Sequence, residues 1–283
     1  MTARAHLKIA LTQVVNRVIA ACGKTEAGRY LLELFLRGVL GRVQTTEHRG
    51  CAMTFAIGNR LCKFRVDTFS TKEPETLEWI DGIPREAVLW DIGANIGLYS
   101  CYAAKARGCR VFAFEPSVFN LEHLARNIFL NQLTGLITIV PLALAEGLAF
   151  STLRMTTTDW GGALSTFGQS YGHDGEPITK IFEFPTIGLS MVDAAMLLRI
   201  PAPDFIKMDV DGIEHLILKG GAPVLGNTRS ILVEINDAFA AQAGEAADIL
   251  QRSGFELRAK RHAECFDRMS GAVRHTFNQI WVR

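Results

Sequence analysis

The sequence of 283 residues lacks the cysteine and hydrophobic patterns that mark several protein classes. Its six cysteines form no CxxC pair and show no His and Cys spacing suited to zinc, so we interpret them as free thiols in a reducing compartment. No apolar run approaches the length of a membrane span. Gln13, Asn16 and Arg17 interrupt the apolar stretch before Cys22 that a signal peptide would require. A cytoplasmic protein is therefore expected.

The sequence also lacks a strong overall charge. Its formal net charge is +1, and it has no Asn-Pro-Pro-Tyr type motif for base amines, so a nucleic-acid partner is not favoured. The basic excess is local, because residues 1–50 contain eight Lys and Arg against three Glu, a charge of +5. This segment is either an ordinary solvated surface or a region attracted to an anionic surface or substrate.

The first 40 residues predict helices. Residues 5–40 are expected to be helical, with breaks at Gly23 and Gly28. A helix with an apolar face packed on the body of the protein is predicted from residues that recur at helical spacing, namely Leu7, Leu11, Val14, Val15 and Val18.

The next segment predicts a hairpin and a short helix. Residues 51–70 alternate apolar and smaller side chains around Gly58-Asn59, which predicts a strand before this turn and a return strand over residues 61–66. Pro74 then opens a short helix that Gly82 ends.

From residue 87 onward, short apolar segments alternate with helical ones. The predicted strands cover residues 87–90, 110–114, 136–142, 204–208, 231–235, 255–258 and 277–282. The predicted helices cover residues 95–107, 117–131, 212–219 and 238–253. This alternation is typical of an α/β fold of Rossmann-like type, a mostly parallel seven-stranded sheet with helices on both faces and an antiparallel last strand. Residues 51–283 are expected to form this domain, and residues 1–50 a helical extension.

Residues 151–188 break the alternation. The segment is rich in glycine and hydroxyl residues and includes the run Asp159-Trp160-Gly161-Gly162-Ala163. A long insert at the ligand edge of such a sheet is either a lid over the site or a plain surface excursion.

The first strand of the sheet leads into Asp91-Ile92-Gly93-Ala94-Asn95-Ile96-Gly97. Gly93 allows a tight turn with close backbone approach to a ligand, and Gly97 lets the next helix pack near the strand. Asp91 can accept from an ammonium group, and amides of the turn and of the helix start can hold a carboxylate. These are the requirements of the zwitterionic end of S-adenosylmethionine.

Glu115 lies at the end of the second strand, 24 residues after Asp91. An acid there can accept hydrogen bonds from both ribose hydroxyls, although it could also complement the N-terminus of the next helix. A nicotinamide dinucleotide is the second candidate ligand, but its G-x-G-x-x-G motif needs glycine where this chain has Asn95. S-adenosyl-L-methionine is therefore the favoured cofactor.

The fourth strand ends at Asp209, beside the first strand and at the switch point of the sheet, where ligands bind. Asp209 is predicted to face the transferring methyl and to orient or deprotonate the acceptor. Glu214 begins the next helix and either points into the site or complements the helix N-terminus, as Asp211 is expected to do.

At these motifs the sequence resembles the FkbM-type family of S-adenosylmethionine-dependent methyltransferases. The matching segments occur in order over about residues 70–283 and are Asp91–Gly97, Phe114–Pro116, the helix with Asn127 and Asn131, Ile206–Glu214 and Leu232–Ile235. The resemblance implies a class I methyltransferase fold and O-methylation of sugars, polyketides or other small secondary metabolites.

The resemblance also implies roles for individual residues. Those implied to bind the cofactor are Asp91, Gly93, Asn95, Gly97 and Glu115. Those implied to lie at the catalytic edge are Lys207, Asp209 and Glu214. The family often has an acid at the position of Glu73, which either folds over the cofactor or serves as a helix-start acid before Pro74. Two positions depart from the family, since Asp211 replaces a usual Glu and Ser190 a frequent Asp.

A hydroxyl acceptor must lose its proton to a base or be acidified by a metal. Oxygen ligands suited to magnesium occur at Asp209, Glu234 and Asn236, but we favour hydrogen bonds donated by loop amides to Glu234 and assign no metal site. Weaker candidates for the base are His215, His262 and His275.

The favoured function is methyl transfer to a hydroxyl of a small molecule, a sugar, a glycan or a polyketide. The sequence allows a homo-oligomer and fixes no oligomeric state. A non-catalytic scaffold is an alternative that the intact set of Asp91, Glu115 and Asp209 disfavours. A nucleic-acid methyltransferase is an alternative that the charge of +1 disfavours.

Overall fold

The computed structural model describes residues 3–263 and 272–283. The helices are α1 (Ala3–Cys22), α2 (Glu26–Leu40), α3 (Arg60–Asp67), α4 (Phe69–Lys72), α5 (Pro74–Asp81), α6 (Leu98–Arg107), α7 (Val118–Leu130), α8 (Met191–Leu197), α9 (Glu214–Lys219), α10 (Ala222–Leu225) and α11 (Ala240–Arg252). The strands are β1 (Val43–His48), β2 (Cys51–Ala56), β3 (Val88–Ile92), β4 (Arg110–Phe114), β5 (Ile137–Val140), β6 (Ala143–Leu144), β7 (Ala149–Met155), β8 (Thr166–Phe167), β9 (Phe182–Leu189), β10 (Phe205–Met208), β11 (Ser230–Asn236), β12 (Glu256–Arg261) and β13 (Thr276–Val282).

Seven strands form the central sheet in the order β12-β13-β11-β10-β3-β4-β5. The five strands from β5 to β11 run parallel, and β13 is antiparallel to both β11 and β12. The predicted α/β fold with a mostly parallel seven-stranded sheet is thereby confirmed. The chain leaves β3 toward β4 on one side and reaches β10 on the other, so a crevice opens at the carboxyl ends of β3 and β10.

Alternate residues of the strands pack into two hydrophobic cores, one on each face of the sheet. Leu89 belongs to the core shared with α5, α6 and α7, whereas Trp90 and Ile92 belong to the core shared with α8, α9 and α11. Burying each such side chain stabilises the fold by about 1.5–3 kcal/mol. The sheet is thus covered on both faces, which leaves its carboxyl edge open for a site.

The region before β3 differs from the sequence-based prediction. The hairpin is formed by β1 and β2, which pair around Arg49-Gly50, so the predicted boundary at residue 50 falls on its turn. Residues 61–66, predicted to return as a strand, lie in α3 instead. The reason is local, because the Asn59 side chain accepts from the Cys62 amide at 2.8 Å and caps that helix. Pro74 and Gly82 bound α5 as predicted.

Helices α1 and α2 form an arm, residues 3–40, that we call the helical arm. The predicted break at Gly23 is confirmed, but the break at Gly28 is wrong, since the Gly28 amide donates to the Thr25 side chain at 3.0 Å within the first turn of α2. Leu7 and Leu11 are 70% and 62% exposed, which shows that the apolar face of α1 does not pack on the body of the protein as predicted. No helix within the described residues is long and apolar enough to cross a membrane.

The insert and the short strand β6 before it form a second sheet with the order β6-β9-β7-β8. Its loop between β7 and β8 returns to the carboxyl edge of the central sheet, where the Gly162 oxygen accepts from the side-chain amides of Asn95 at 2.7 Å and Asn120 at 3.1 Å. Ser190, the position that departs from the family, caps α8 through reciprocal hydrogen bonds with Asp193. The insert therefore supplies part of the wall of the crevice.

Candidate active site

The loop between β3 and α6 borders the crevice. Gly93 has a φ of +83°, and a Cβ at this position would lie 1.8 Å from the backbone oxygen of Asp209. Only glycine therefore allows the ends of β3 and β10 to approach this closely. Gly97 has a φ of +81°, and a Cβ there would meet Leu124 of α7 at 2.4 Å, so this glycine serves helix packing.

Glu115 follows β4, and its carboxylate is almost fully buried. Its two oxygens accept from the backbone amides of Asn95 and Ser117, each at 2.8 Å. A carboxylate can accept about four hydrogen bonds, so each oxygen retains capacity for a ligand donor. Burial raises the pKa of Glu115 to about 7, although the two amides lower it.

Lys207 of β10 lies between two carboxylates and is 3% exposed. Its Nζ is 3.8 Å from Oδ1 of Asp91 and 3.3 Å from Oδ2 of Asp209. The same atom lies 5.4 Å from the centre of the Tyr99 ring. Burial opposes its charge, but Asp209 and Asp91 raise the pKa of Lys207 above its usual value, so it is a fixed cation beneath the crevice.

Three adjoining cavities occupy the crevice, and all three are lined by Gly93, Asn95 and Asp209. The Glu115 cavity is lined by Glu115 and by apolar residues of the insert and of the strand ends. The Lys207 cavity contains Lys207 and Tyr99. The Glu234 cavity is lined by Glu234. The three cavities thus meet at Asp209 and extend toward different side chains of the strand ends.

Glu73 lies at the junction of the Lys207 and Glu234 cavities. It occupies the position before α5, but its side chain makes no capping hydrogen bond to that helix. Its Oε1 instead pairs with the Lys72 ammonium at 2.6 Å. The place of Glu73 in the crevice favours the interpretation that it faces a ligand over the interpretation that it serves as a helix-start acid.

Three predicted site residues line none of the three cavities, namely Gly97, Asp91 and Glu214. Asp91 is 1% exposed; its Oδ2 accepts from the Ser100 hydroxyl at 2.5 Å, and its Oδ1 has no hydrogen-bond partner among the described residues. Asp91 therefore lies below Lys207. Because it is buried there, it is not placed to contact the ammonium group of a ligand directly, as the sequence predicted.

Glu214 is the third predicted site residue that lines none of the cavities. Its oxygens accept from the Val210 amide at 3.0 Å and the Gly212 amide at 3.1 Å, and Gln242 also donates to it. The structure thus corrects its predicted place in the site, because Glu214 fixes the loop after Asp209 from beneath. Asp211 faces the insert instead and accepts from the Leu164 amide at 2.6 Å and the Ser165 amide at 3.3 Å.

The magnesium alternative involves Asp209, Glu234 and Asn236. Residues 3–263 and 272–283 contain no group of three His, Cys, Asp or Glu arranged to hold a metal ion. The Oδ1 of Asn236 is engaged by the Ala238 amide at 3.0 Å. The favoured prediction, that loop amides donate to Glu234, is wrong, because no amide in the described part of the chain donates to its carboxylate.

The candidate histidines separate in space. His262 lines the Glu234 cavity and stacks on Phe277 with ring centres 4.3 Å apart. His215 is buried beside Phe239 and His275 is exposed, and neither lines one of the three cavities. His262 is thus the member of the set that an acceptor could reach.

Sequence reasoning missed several residues of the crevice, namely Arg65, Lys72, Asn120 and His173. Arg65 lies on α3, which the sequence predicted as a strand, and His173 lies on the irregular insert. Asn120 had a weak signal, because it stands three residues after Ser117, which caps α7. Its side chain joins α7 to the insert by accepting from the Gly161 amide at 3.0 Å.

The sheet order and the crevice at β3 and β10 are those of a Rossmann-like methyltransferase fold. A crystal structure of the methyltransferase FkbM from Methylobacillus flagellatus matches this fold with a TM-score of 0.50 at 16% identity, over 79% of this chain and 52% of that one. The model of the methyltransferase FkbM domain matches residues 91–257, and the chain belongs to this family. The family and the fold imply the use of S-adenosylmethionine.

Two curated relatives are informative. The chain is 28% identical over 149 residues to the hexuronic acid methyltransferase AglP of Haloferax volcanii, which covers 53% of this chain and 56% of that protein. It is 24% identical over 194 residues to the 31-O-demethyl-FK506 methyltransferase FkbM of Streptomyces tacrolimicus, covering 62% of this chain and 74% of the relative. The chain thus matches little more than half the length of the first relative.

Proposed function

We propose that this protein transfers the methyl group of S-adenosylmethionine to a hydroxyl of a small molecule or a sugar. The observation that carries the proposal is the set of three cavities that meet at Asp209 on the carboxyl edge of the sheet. The names of the two curated relatives, one acting on a hexuronic acid and one on 31-O-demethyl-FK506, support this acceptor class. Five described cysteines are free thiols, which supports a reducing compartment such as the cytoplasm.

The residues of the crevice fit S-adenosylmethionine. Glu115 has acceptor capacity for two ribose hydroxyls, and the apolar walls of its cavity suit an adenine ring. The Lys207 cavity offers Glu73 to an ammonium group, and Arg65 and Lys72 to a carboxylate. When bound, the cofactor supplies a methyl group on a positively charged sulfur, which is transferred by in-line displacement.

We assign different roles to the two carboxylates that face the acceptor. Burial opposes the charge of Asp209, but Lys207 and Lys72 outweigh it and hold its pKa below the usual value. Asp209 is therefore a weak base that stays ionised, and it orients the acceptor hydroxyl by accepting its hydrogen bond. Asp209 was predicted to orient or deprotonate the acceptor, and we propose that it only orients it.

Glu234 is the proposed general base. Burial, followed by the negative charges of Asp209 and Glu73, raises the pKa of Glu234 well above its usual value. A carboxylate with a raised pKa is a stronger base, and no described residue donates a hydrogen bond to it. Glu234 would accept the proton of the acceptor hydroxyl as the oxygen takes the methyl group.

The test uses methyl-labelled S-adenosylmethionine with a panel of hexuronic acid glycosides and polyketide alcohols. We expect label in at least one acceptor, and in the Glu234→Gln variant a fall in kcat of about 100-fold or more with unchanged cofactor affinity. The matched control is Glu256→Gln, an exposed acid of the edge strand β12. Cofactor that fails to bind at millimolar concentration would contradict the whole proposal, whereas full activity of Glu234→Gln would contradict only the base.

A further inference from the structure

The helical arm exposes an extensive apolar surface. On α2, none of whose residues is buried, Tyr30, Leu31, Leu34 and Phe35 are 62%, 63%, 50% and 71% exposed. These positions follow the i, i+1, i+4, i+5 spacing of one helix face. The charged residues Glu26, Arg29, Glu33 and Arg37 recur every three or four residues and form a separate polar face.

Helix α1 also exposes apolar side chains. Leu7, Leu11, Val14 and Val18 share one side of the helix and are between 55% and 70% exposed. The extensive contacts of α1 are with α2 and not with the body of the protein. So many exposed apolar side chains on one segment of a folded protein mark a contact with another apolar phase or partner.

Charge identifies the occupant of this surface. The helical arm, residues 3–40, contains six basic and two acidic side chains and carries +4, whereas the other 245 residues contain 24 basic and 27 acidic side chains and carry −3. The basic charge is therefore concentrated on the segment that bears the apolar face. Two copies of this segment would repel each other, but an anionic lipid surface would attract it. Basic residues beside exposed apolar and aromatic ones are typical of helices that lie in a membrane interface.

We propose that the helical arm docks on the surface of a membrane that contains anionic lipids. The apolar residues of α1 and α2 enter the boundary between headgroups and acyl chains, and the basic residues contact the headgroup phosphates. The methyltransferase domain, joined to the arm through Gly41, stays in the aqueous phase. The inference is independent of the proposed reaction, because no residue of the arm lines the crevice.

The test is flotation of the full chain with vesicles of phosphatidylcholine alone or with about one quarter phosphatidylglycerol. We expect binding to the anionic vesicles and at least tenfold weaker binding to the neutral ones. The variant Leu31→Glu, Leu34→Glu, Phe35→Glu should lose vesicle binding. The matched control is Phe129→Glu, Phe150→Glu, Ile181→Glu, which adds the same charge at body positions that are 73%, 78% and 73% exposed and should still bind.

A second variant tests the charge. Each basic residue near an anionic surface contributes about fivefold in partitioning, so Arg17→Gln, Lys24→Gln, Arg37→Gln should weaken binding by more than tenfold. Far-ultraviolet circular dichroism and cofactor affinity should be the same in every variant. Equal binding to neutral and anionic vesicles, or unchanged binding of the α2 variant, would overturn the proposal. So would a stable dimer in sedimentation velocity that the α2 variant abolishes, since a second copy would then cover this face.

Discussion

Replacing Glu115 by Gln tests the adenosine end of the proposed cofactor site. Both oxygens of the carboxylate accept a backbone amide at 2.8 Å, one from Asn95 and one from Ser117. In the amide side chain one oxygen becomes an NH₂ group, which can only donate and would face an amide N–H. At least one ribose hydroxyl then loses its acceptor, and the other loses its charge assistance.

The expected magnitude follows from these two bonds. Hydrogen bonds to charged groups contribute about 1.5–3 kcal/mol each, so the loss of one and weakening of the other amounts to about 3 kcal/mol. That loss corresponds to about a 100-fold increase in the Kd for S-adenosylhomocysteine, since about 1.4 kcal/mol is a factor of ten. Isothermal titration calorimetry at pH 8 measures this difference directly.

The pH dependence sharpens the same test. The pKa of Glu115 in the free protein is raised to about 7 by burial, and a ligand with two donors requires the ionised form. The wild-type Kd should therefore rise about tenfold between pH 8 and pH 6, and this part of the slope should vanish in Glu115→Gln.

The matched control for this test is Glu122→Gln, which changes a partly exposed acid of α7 that pairs with Arg126. It should leave both the affinity and the slope unchanged. Affinity of Glu115→Gln within twofold of wild type, or an unaltered pH slope, would refute the assignment of Glu115 to the ribose.

Two further predictions concern stability. Gly93→Ala should lower the free energy of unfolding by about 2–5 kcal/mol and Tm by about 5–15 °C, because its Cβ would collide with the Asp209 backbone oxygen at a positive φ. Gly147→Ala, where an added Cβ meets nothing within 4 Å, should change Tm by less than about 2 °C in the same calorimetric scan, and equal shifts would contradict the steric argument. The pKa of Glu214 is raised from 4.5 to about 7, mainly by burial, so its contribution to stability is fully present below about pH 4.5 and is lost as the pH rises through about 7. Urea unfolding should show that the stability of wild type relative to Glu214→Gln falls by on the order of 2 kcal/mol between pH 5 and pH 8, and a constant difference would show that this carboxyl does not titrate in that range.

Much of the central sheet could be predicted from the sequence. Each element predicted from residue 87 onward is present, with ends within three residues, because strand and helix periodicities persist over several turns or pleats there. The predicted return strand at 61–66 failed for a local reason. Its apolar alternation suits either structure over so few residues, and the capping bond from Asn59 favours the helix.

The sequence by itself determined which residues stand at the strand ends. In parallel strands these ends share one edge, so Glu115, Asp209 and the glycine turn at Gly93 could be placed together without coordinates. Only the tertiary structure decided which of the neighbouring acids reach the crevice. Asp91 and Glu214 also stand beside strand ends in the matching motifs. In the structure, however, Asp91 faces Lys207 and Glu214 accepts from loop amides.

The helical arm shows the same division between what the sequence determines and what the tertiary structure decides. Helical spacing determined that α1 has an apolar face, but spacing cannot say what covers that face. A side chain's burial depends on atoms far away in the sequence, and in this chain those atoms pack on the sheet and leave the arm exposed. Local periodicity determines the backbone conformation and the direction of each side chain. The residues that the side chain contacts are determined by the packing of the whole molecule.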